Sequence, residues 1–207
     1  MGFASRNMDK NMTIYTCGDS HSRFTFHDIS NVVPFHIGPV TMFRVGRDKL
    51  KFSEHKVPTD GPLISCFGEI DVRCHVHKQV LAGRDGRDED EVIESLIVNY
   101  MDALRMNSKE YHDILVMEVV PPTYYNAAKD NPDFPFEGSN EDRARIYVKV
   151  NSRLKHHCGI LGFKMFELYA DYADKNGMLD PAMSDGSVHI WSNEKIKDKI
   201  KSINYAA

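Results

Sequence analysis

Thr13-Ile14-Tyr15-Thr16-Cys17-Gly18-Asp19-Ser20-His21-Ser22 is the stretch on which the fold turns. Five residues with little polar interruption run into a Gly-Asp-Ser bend, the pattern of a strand covered on both faces and delivered into a tight turn. Comparable apolar runs recur outward from it, at residues 31–35, 63–67, 114–120 and 163–166. Helical patterns lie between them. Residues 88–106 carry Val92, Leu96, Ile97, Tyr100, Met101 and Leu104 at three-and-four spacing, with acids massed in the first turn, where the helix dipole favours them. Ser139-Asn140-Glu141-Asp142 offers a capping-box start. From there Ile146, Val150 and Leu154 make a buried stripe as far as Cys158, with Gly159 as the stop. A last helix starts at Ser192, with Ile196, Ile200 and Ile203 inward and Lys195, Lys197, Lys199 and Lys201 on a solvated face. This alternation predicts an α/β domain with a five-stranded, mainly parallel sheet. Residues 41–62 read as a pair of short strands or an excursion over the sheet, residues 121–138 as a long loop, and residues 83–88 as an exposed turn.

Composition sets the outer limits. The 207 residues, 42% hydrophobic and 27% charged, suit one globular domain spanning 1–207, with residues 1–11 expected to be a flexible N-terminus. Those proportions exclude a collagenous or disulfide-scaffold chain. Twenty-six basic against 30 acidic residues give a net charge of −4, so no global positive field gathers nucleic acid or an anionic membrane. A small-molecule or glycan partner is the expectation. No run approaches the ~18–20 apolar residues that cross a bilayer, and the N-terminus lacks the apolar core of a secretory signal, so a cytoplasmic location is expected. Cys17, Cys66, Cys74 and Cys158 read as buried, reduced packing residues.

Ligands of open parallel sheets bind outside the carboxyl ends of the strands, so the residues just beyond each strand are the candidates for chemistry. After the first strand, Ser20 on a tight strand-to-helix turn is exposed, shares the positive end of the next helix, and offers its own N–H to an oxyanion. After the second comes His36-Ile37-Gly38-Pro39, where Gly38 lets backbone approach a substrate. After the third comes Gly68-Glu69-Ile70-Asp71-Val72-Arg73, a glycine leading into polar groups. Before the last helix stands Asp185-Gly186-Ser187-Val188-His189, an imidazole able to take the serine proton and a carboxylate to fix its tautomer.

These blocks together resemble the SGNH, or GDSL-like, hydrolase superfamily, over nearly the whole chain. The resemblance implies a flavodoxin-like three-layer sandwich acting on esters, often acyl groups of carbohydrates, as hydrolase or acyltransferase. Carried over, Ser20 is the nucleophile, His189 the general base and Asp185 its orienting partner, with Ser20 and Gly38 supplying oxyanion-hole N–H groups. Two departures stand out. Ile70 occupies the place of the family's oxyanion-hole asparagine, a loss typically worth ~2.7–4 kcal/mol of transition-state stabilisation unless Arg73 or another donor substitutes. Three residues rather than two separate Asp185 from His189.

Asp19, His21, Glu69, Asp71, Arg73 and Tyr124 are read as substrate-binding or supporting groups; the Glu69, Asp71 and Arg73 block also reads as a structural ion pair. His75 and His77 alternate on one side of an extended segment beside Cys74, and His156-His157-Cys158 ends a helix. Neither cluster has the ligand spacing of a structural zinc site, so no metal or other cofactor is expected. Asp19-Ser20-His21 also matches the opening block of binuclear metallophosphoesterases, but the glycine-asparagine-histidine segment of that family is missing. With Ile70 in the hole, a catalytically weak glycan-binding or interaction module is the non-enzymatic alternative.

Overall fold

The computed structural model describes residues 12–82, 86–125 and 132–204; the expected flexible N-terminus and part of the expected turn at 83–88 lie outside them. Five strands, β1 (Ile14–Gly18), β2 (Val32–His36), β3 (Leu63–Cys66), β4 (Ile114–Met117) and β5 (Lys164–Phe166), form one parallel sheet in the order β2-β1-β3-β4-β5. That is the flavodoxin-like order. Side chains alternate across it, as strand geometry requires. Tyr15, Cys17, Leu63, Ile114 and Val116 enter one core, and Ile14, Ile64, Cys66, Leu115 and Met117 enter the other.

The first core is closed by α2 (Met42–Asp48), α5 (Glu89–Asn107) and α6 (Asn140–Leu161), the second by α7 (Tyr169–Tyr172) and α8 (Glu194–Asn204). Ile93 and Ile97 of α5 are wholly buried, worth roughly 1.5–3 kcal/mol each. Asp88 and Glu91 cap α5 reciprocally, and Ser139 and Asp142 do the same for α6. Helix α6 runs past the expected stop at Gly159 and ends at Gly162, whose left-handed φ of 76° makes it the C-cap. Residues 41–62 hold no strand: they form α2 and a 3₁₀ turn at Phe52–His55. The segment with His75 and His77 is not extended either. Helix α3 (Glu69–Asp71) continues through a π-helical turn at Val72–Val76 into α4 (His77–Ala82).

From β1 the chain crosses to β2 on one side and then returns to β3 on the other. The crevice this reversal leaves at the carboxyl ends of β1 and β3 is where such sheets hold ligands. Short α1 (His21–Phe24) begins there. No described helix is long and apolar enough to cross a membrane.

Candidate active site

Ser20 owes its place to Gly18 and Asp19. The last residue of β1 packs directly on β3, and the Asp19 N–H donates to the Cys66 carbonyl at 3.2 Å. The backbone then turns helical at Ser20 (φ −57°, ψ −26°), and Ser22 Oγ locks the turn by donating to the Asp19 carbonyl at 2.7 Å. Helix α1 has four residues, too short a run of peptide dipoles to supply the positive end expected for the serine.

The loop between β5 and α8 brings His189 to that serine. His189 Nε2 lies 2.9 Å from Ser20 Oγ, and Nδ1 lies 2.7 Å from Asp185 Oδ2. Since a carboxylate only accepts, Nδ1 carries the proton and Nε2 presents its lone pair to the hydroxyl. The extra residue between Asp185 and His189 is absorbed by a turn. Gly186 takes φ 80°, the Asp185 N–H donates to the His189 carbonyl at 3.1 Å, and Asp185 Oδ1 accepts the N–H groups of Ser187 at 2.8 Å and His189 at 3.3 Å.

The surroundings tune both groups. Burial lowers the His189 pKa, the neighbouring His21 adds to that, and Asp185 pulls the other way without prevailing. Burial favours the protonated form of Asp185, but the bonds from His189 and the Ser187 N–H outweigh it and hold the carboxyl below its ordinary value. The result is an imidazole that stays neutral and a carboxyl that stays charged near pH 7. The Phe24 ring, 4.6 Å from that of His189, covers its side.

Gly18 pairs with His36 in the sheet, and Ser20 and Gly38 each stand two residues beyond that pair, at the same carboxyl edge. Neither N–H group is used up by a backbone hydrogen bond among the described residues. Ile70 is buried and offers no donor. Arg73 does not replace it: its guanidinium is committed to Glu69 (2.6 and 3.1 Å) and the Phe134 carbonyl (2.5 Å) and lies over the Phe136 ring. Glu69 also accepts from Tyr147 at 3.3 Å, and Asp71 accepts the N–H groups of Met42 and Phe43 at the start of α2. This block therefore braces the site from below. Tyr124 donates to Asp174 and accepts from Asn176 in a surface loop, apart from the triad's hydrogen bonds.

Three contributors carry no motif in the sequence. Thr123, 4% exposed, donates to the Ser187 carbonyl at 2.9 Å and so ties the segment after β4 to the loop bearing Asp185 and His189. Phe24, whose ring packs on His189, and Trp191 line an open cleft of about 580 Å³ that itself contains no triad residue, with His27 stacked on Trp191 at 4.1 Å. Proximity to His189 is the available signal for Trp191; Thr123 has none. A separate cavity of about 440 Å³, lined by Thr41, Arg44, Asp71, His75 and Asn99 among others, contains no triad residue. Among the described residues, no group of three His, Cys, Asp or Glu side chains is placed to hold a metal ion.

Sequence comparison finds no matching protein family and no matching curated protein. Structural comparison does find matches. The chain is similar to a GDSL-like lipase from Bacteroides thetaiotaomicron (TM-score 0.65, 13% identity, 98% of this chain and 92% of that one). It is also similar to an acetyl xylan esterase (TM-score 0.54, 13% identity, 93% and 99%) and to a member of the lipolytic G-D-S-L family from Veillonella parvula (TM-score 0.52, 15% identity, 95% and 97%). The fold is the one these hydrolases share, over most of the chain.

Proposed function

We propose that this chain is a serine ester hydrolase of the SGNH, GDSL-like, kind. One observation carries the reading: Ser20 Oγ, His189 Nε2 and Asp185 stand in a continuous chain of hydrogen bonds of 2.9 and 2.7 Å at the sheet's switch point. His189 takes the Ser20 proton as Oγ adds to the ester carbonyl carbon. The N–H groups of Ser20 and Gly38 hold the oxyanion. His189 then hands its proton to the departing alkoxide, leaving an acyl-serine. Water enters, gives a proton to His189, and attacks the acyl carbon; collapse returns that proton to Ser20 and releases the acid. With Ile70 in place of a third donor, the hole is a weaker one, and turnover is modest.

The substrate we propose is an O-acylated, specifically O-acetylated, carbohydrate. Its support is the cleft that meets His189 through the Phe24 ring, where Trp191 is 52% exposed and Phe24 36% exposed, flat apolar faces beside the polar Arg23, Asp28 and Ser30. A sugar ring presents the matching mixture of C–H faces and hydroxyls. The test is hydrolysis of p-nitrophenyl acetate and of an acetylated xylo-oligosaccharide by the purified chain and by Ser20→Ala. The reading requires activity that Ser20→Ala loses; activity retained in that variant refutes it.

A further inference from the structure

The proposed reaction leaves one buried ionisable pair without a task. Asp19 and His21 flank the nucleophile at 1% and 2% exposure. His21 Nδ1 lies 3.1 Å from Asp19 Oδ1, which also accepts the His21 N–H at 2.9 Å. Its Nε2 lies 3.1 Å from the carbonyl of Val188, a residue 167 positions away and the immediate neighbour of His189. Both ring nitrogens thus face acceptors alone, a carboxylate and a carbonyl. A neutral imidazole has one donor and would set its lone pair against one of those oxygens; only the imidazolium satisfies both. The His21 and His189 rings are 5.0 Å apart.

We infer that His21 is a positioning residue: held as an imidazolium by Asp19, it donates to the Val188 carbonyl, fixes the peptide that carries His189, and sets a positive charge beside the general base. This rests on the reading of His189 as that base. The charge balance around the two rings agrees with it. Burial alone would lower the His21 pKa, but Asp19, with help from Glu69 and the Val188 carbonyl, pushes it up to about 9. His189 faces Asp185 and Glu69, which favour its protonation, and His21 and burial, which oppose it; Ser20 and Phe24 complete its surroundings without charge. The sequence Gly-Asp-Ser-His therefore encodes more than a nucleophile. Of the residues on either side of Ser20, His21 reaches the peptide that carries its partner, and Asp19 holds His21.

Two substitutions separate the two tasks. His21→Gln keeps a donor for Val188 and removes the charge; His21→Leu removes both. Imidazole NMR titration of wild type and variants reads the protonation of each histidine without needing activity, and pH profiles of kcat and KM for p-nitrophenyl acetate read the consequence. Wild-type His21 should remain protonated through pH 8. In His21→Gln the His189 midpoint and the acidic limb of kcat/KM should both move up by about one pH unit. His21→Leu should in addition lose about 10–100-fold in kcat at the alkaline plateau with KM little changed. If His21→Leu does not fold, His21→Gln carries the test. A wild-type His21 that titrates below pH 6.5, or a His189 midpoint identical in wild type and His21→Gln, overturns the inference. Wild-type protein that hydrolyses no ester would instead refute the ester hydrolase reading, and the titration would still decide the role of His21.

Discussion

Gly18 lies so close to β3 that a β-carbon on it would stand 1.9 Å from the Cys66 carbonyl oxygen. The atom it would strike belongs to the backbone of a central strand and has no rotamer to move to. Gly18→Ala must therefore part β1 from β3 at the point where the Ser20 turn begins. We expect a loss of more than about 3 kcal/mol of stability in urea unfolding. A variant as stable as wild type would mean that the strands approach less closely.

Asp185→Asn keeps the size of the orienting group but offers His189 an amide in place of a carboxylate. The amide can present its N–H₂ to Nδ1 and thereby favour the tautomer whose proton sits on Nε2, the wrong side for accepting from Ser20. We expect kcat to fall by roughly 10³–10⁴-fold with KM changed little. A loss below tenfold would show Ser20 and His189 working as a bare pair.

Stability should fall as the solution is made alkaline. The folded state keeps the His21 proton up to about pH 9, whereas an unfolded histidine releases it near its ordinary value of 6.5. His21 thus contributes stability that is fully present below pH 6.5 and lost as pH rises through about 9. Asp71, which burial pushes up to about 7, and the thiols, which burial keeps protonated above the range in which an unfolded thiol dissociates, add to the alkaline loss in wild type and in His21→Gln alike. Between pH 7.5 and 8.5 the slope should be more negative in wild type than in His21→Gln by roughly 1 kcal/mol per unit. Equal slopes in the two proteins would contradict a charged His21.

The strands and the long helices are legible in the sequence because burial on both faces leaves uninterrupted apolar runs, and α5 and α6 are long enough for three-and-four spacing to show. The reacting residues are legible because parallel strands deliver their successors to one edge. Helix α2 is not, since only Met42, Val45 and Gly46 of its seven residues are buried and two turns give no period to read. His75 and His77 mimic strand alternation because a π-helical turn changes to α between them, which no local pattern announces. Gly159 resembles a helix stop, but a glycine caps only where φ turns positive, and that happens at Gly162. Thr123 and the Val188 carbonyl leave no local signal because their partners, Ser187 and His21, lie 64 and 167 residues away.

Trp191 offers a check on the substrate class. It is exposed and belongs to neither core cluster, so Trp191→Ala should leave folding intact. Losing a stacking face of this kind should raise KM for an acetylated xylo-oligosaccharide by about 5–10-fold, on the order of 1 kcal/mol, while p-nitrophenyl acetate, which has no sugar, is turned over as before. Equal effects on both esters would remove the cleft from substrate recognition.

Reaction with a fluorophosphonate probe bears most directly on Ser20 as a nucleophile activated by His189. Peptide mass spectrometry of the labelled chain should place a single phosphonyl adduct on Ser20, formed rapidly in wild type, at least about 10²-fold more slowly in His189→Ala, and not at all in Ser20→Ala. Labelling that survives Ser20→Ala, or proceeds at the wild-type rate in His189→Ala, would contradict the mechanism.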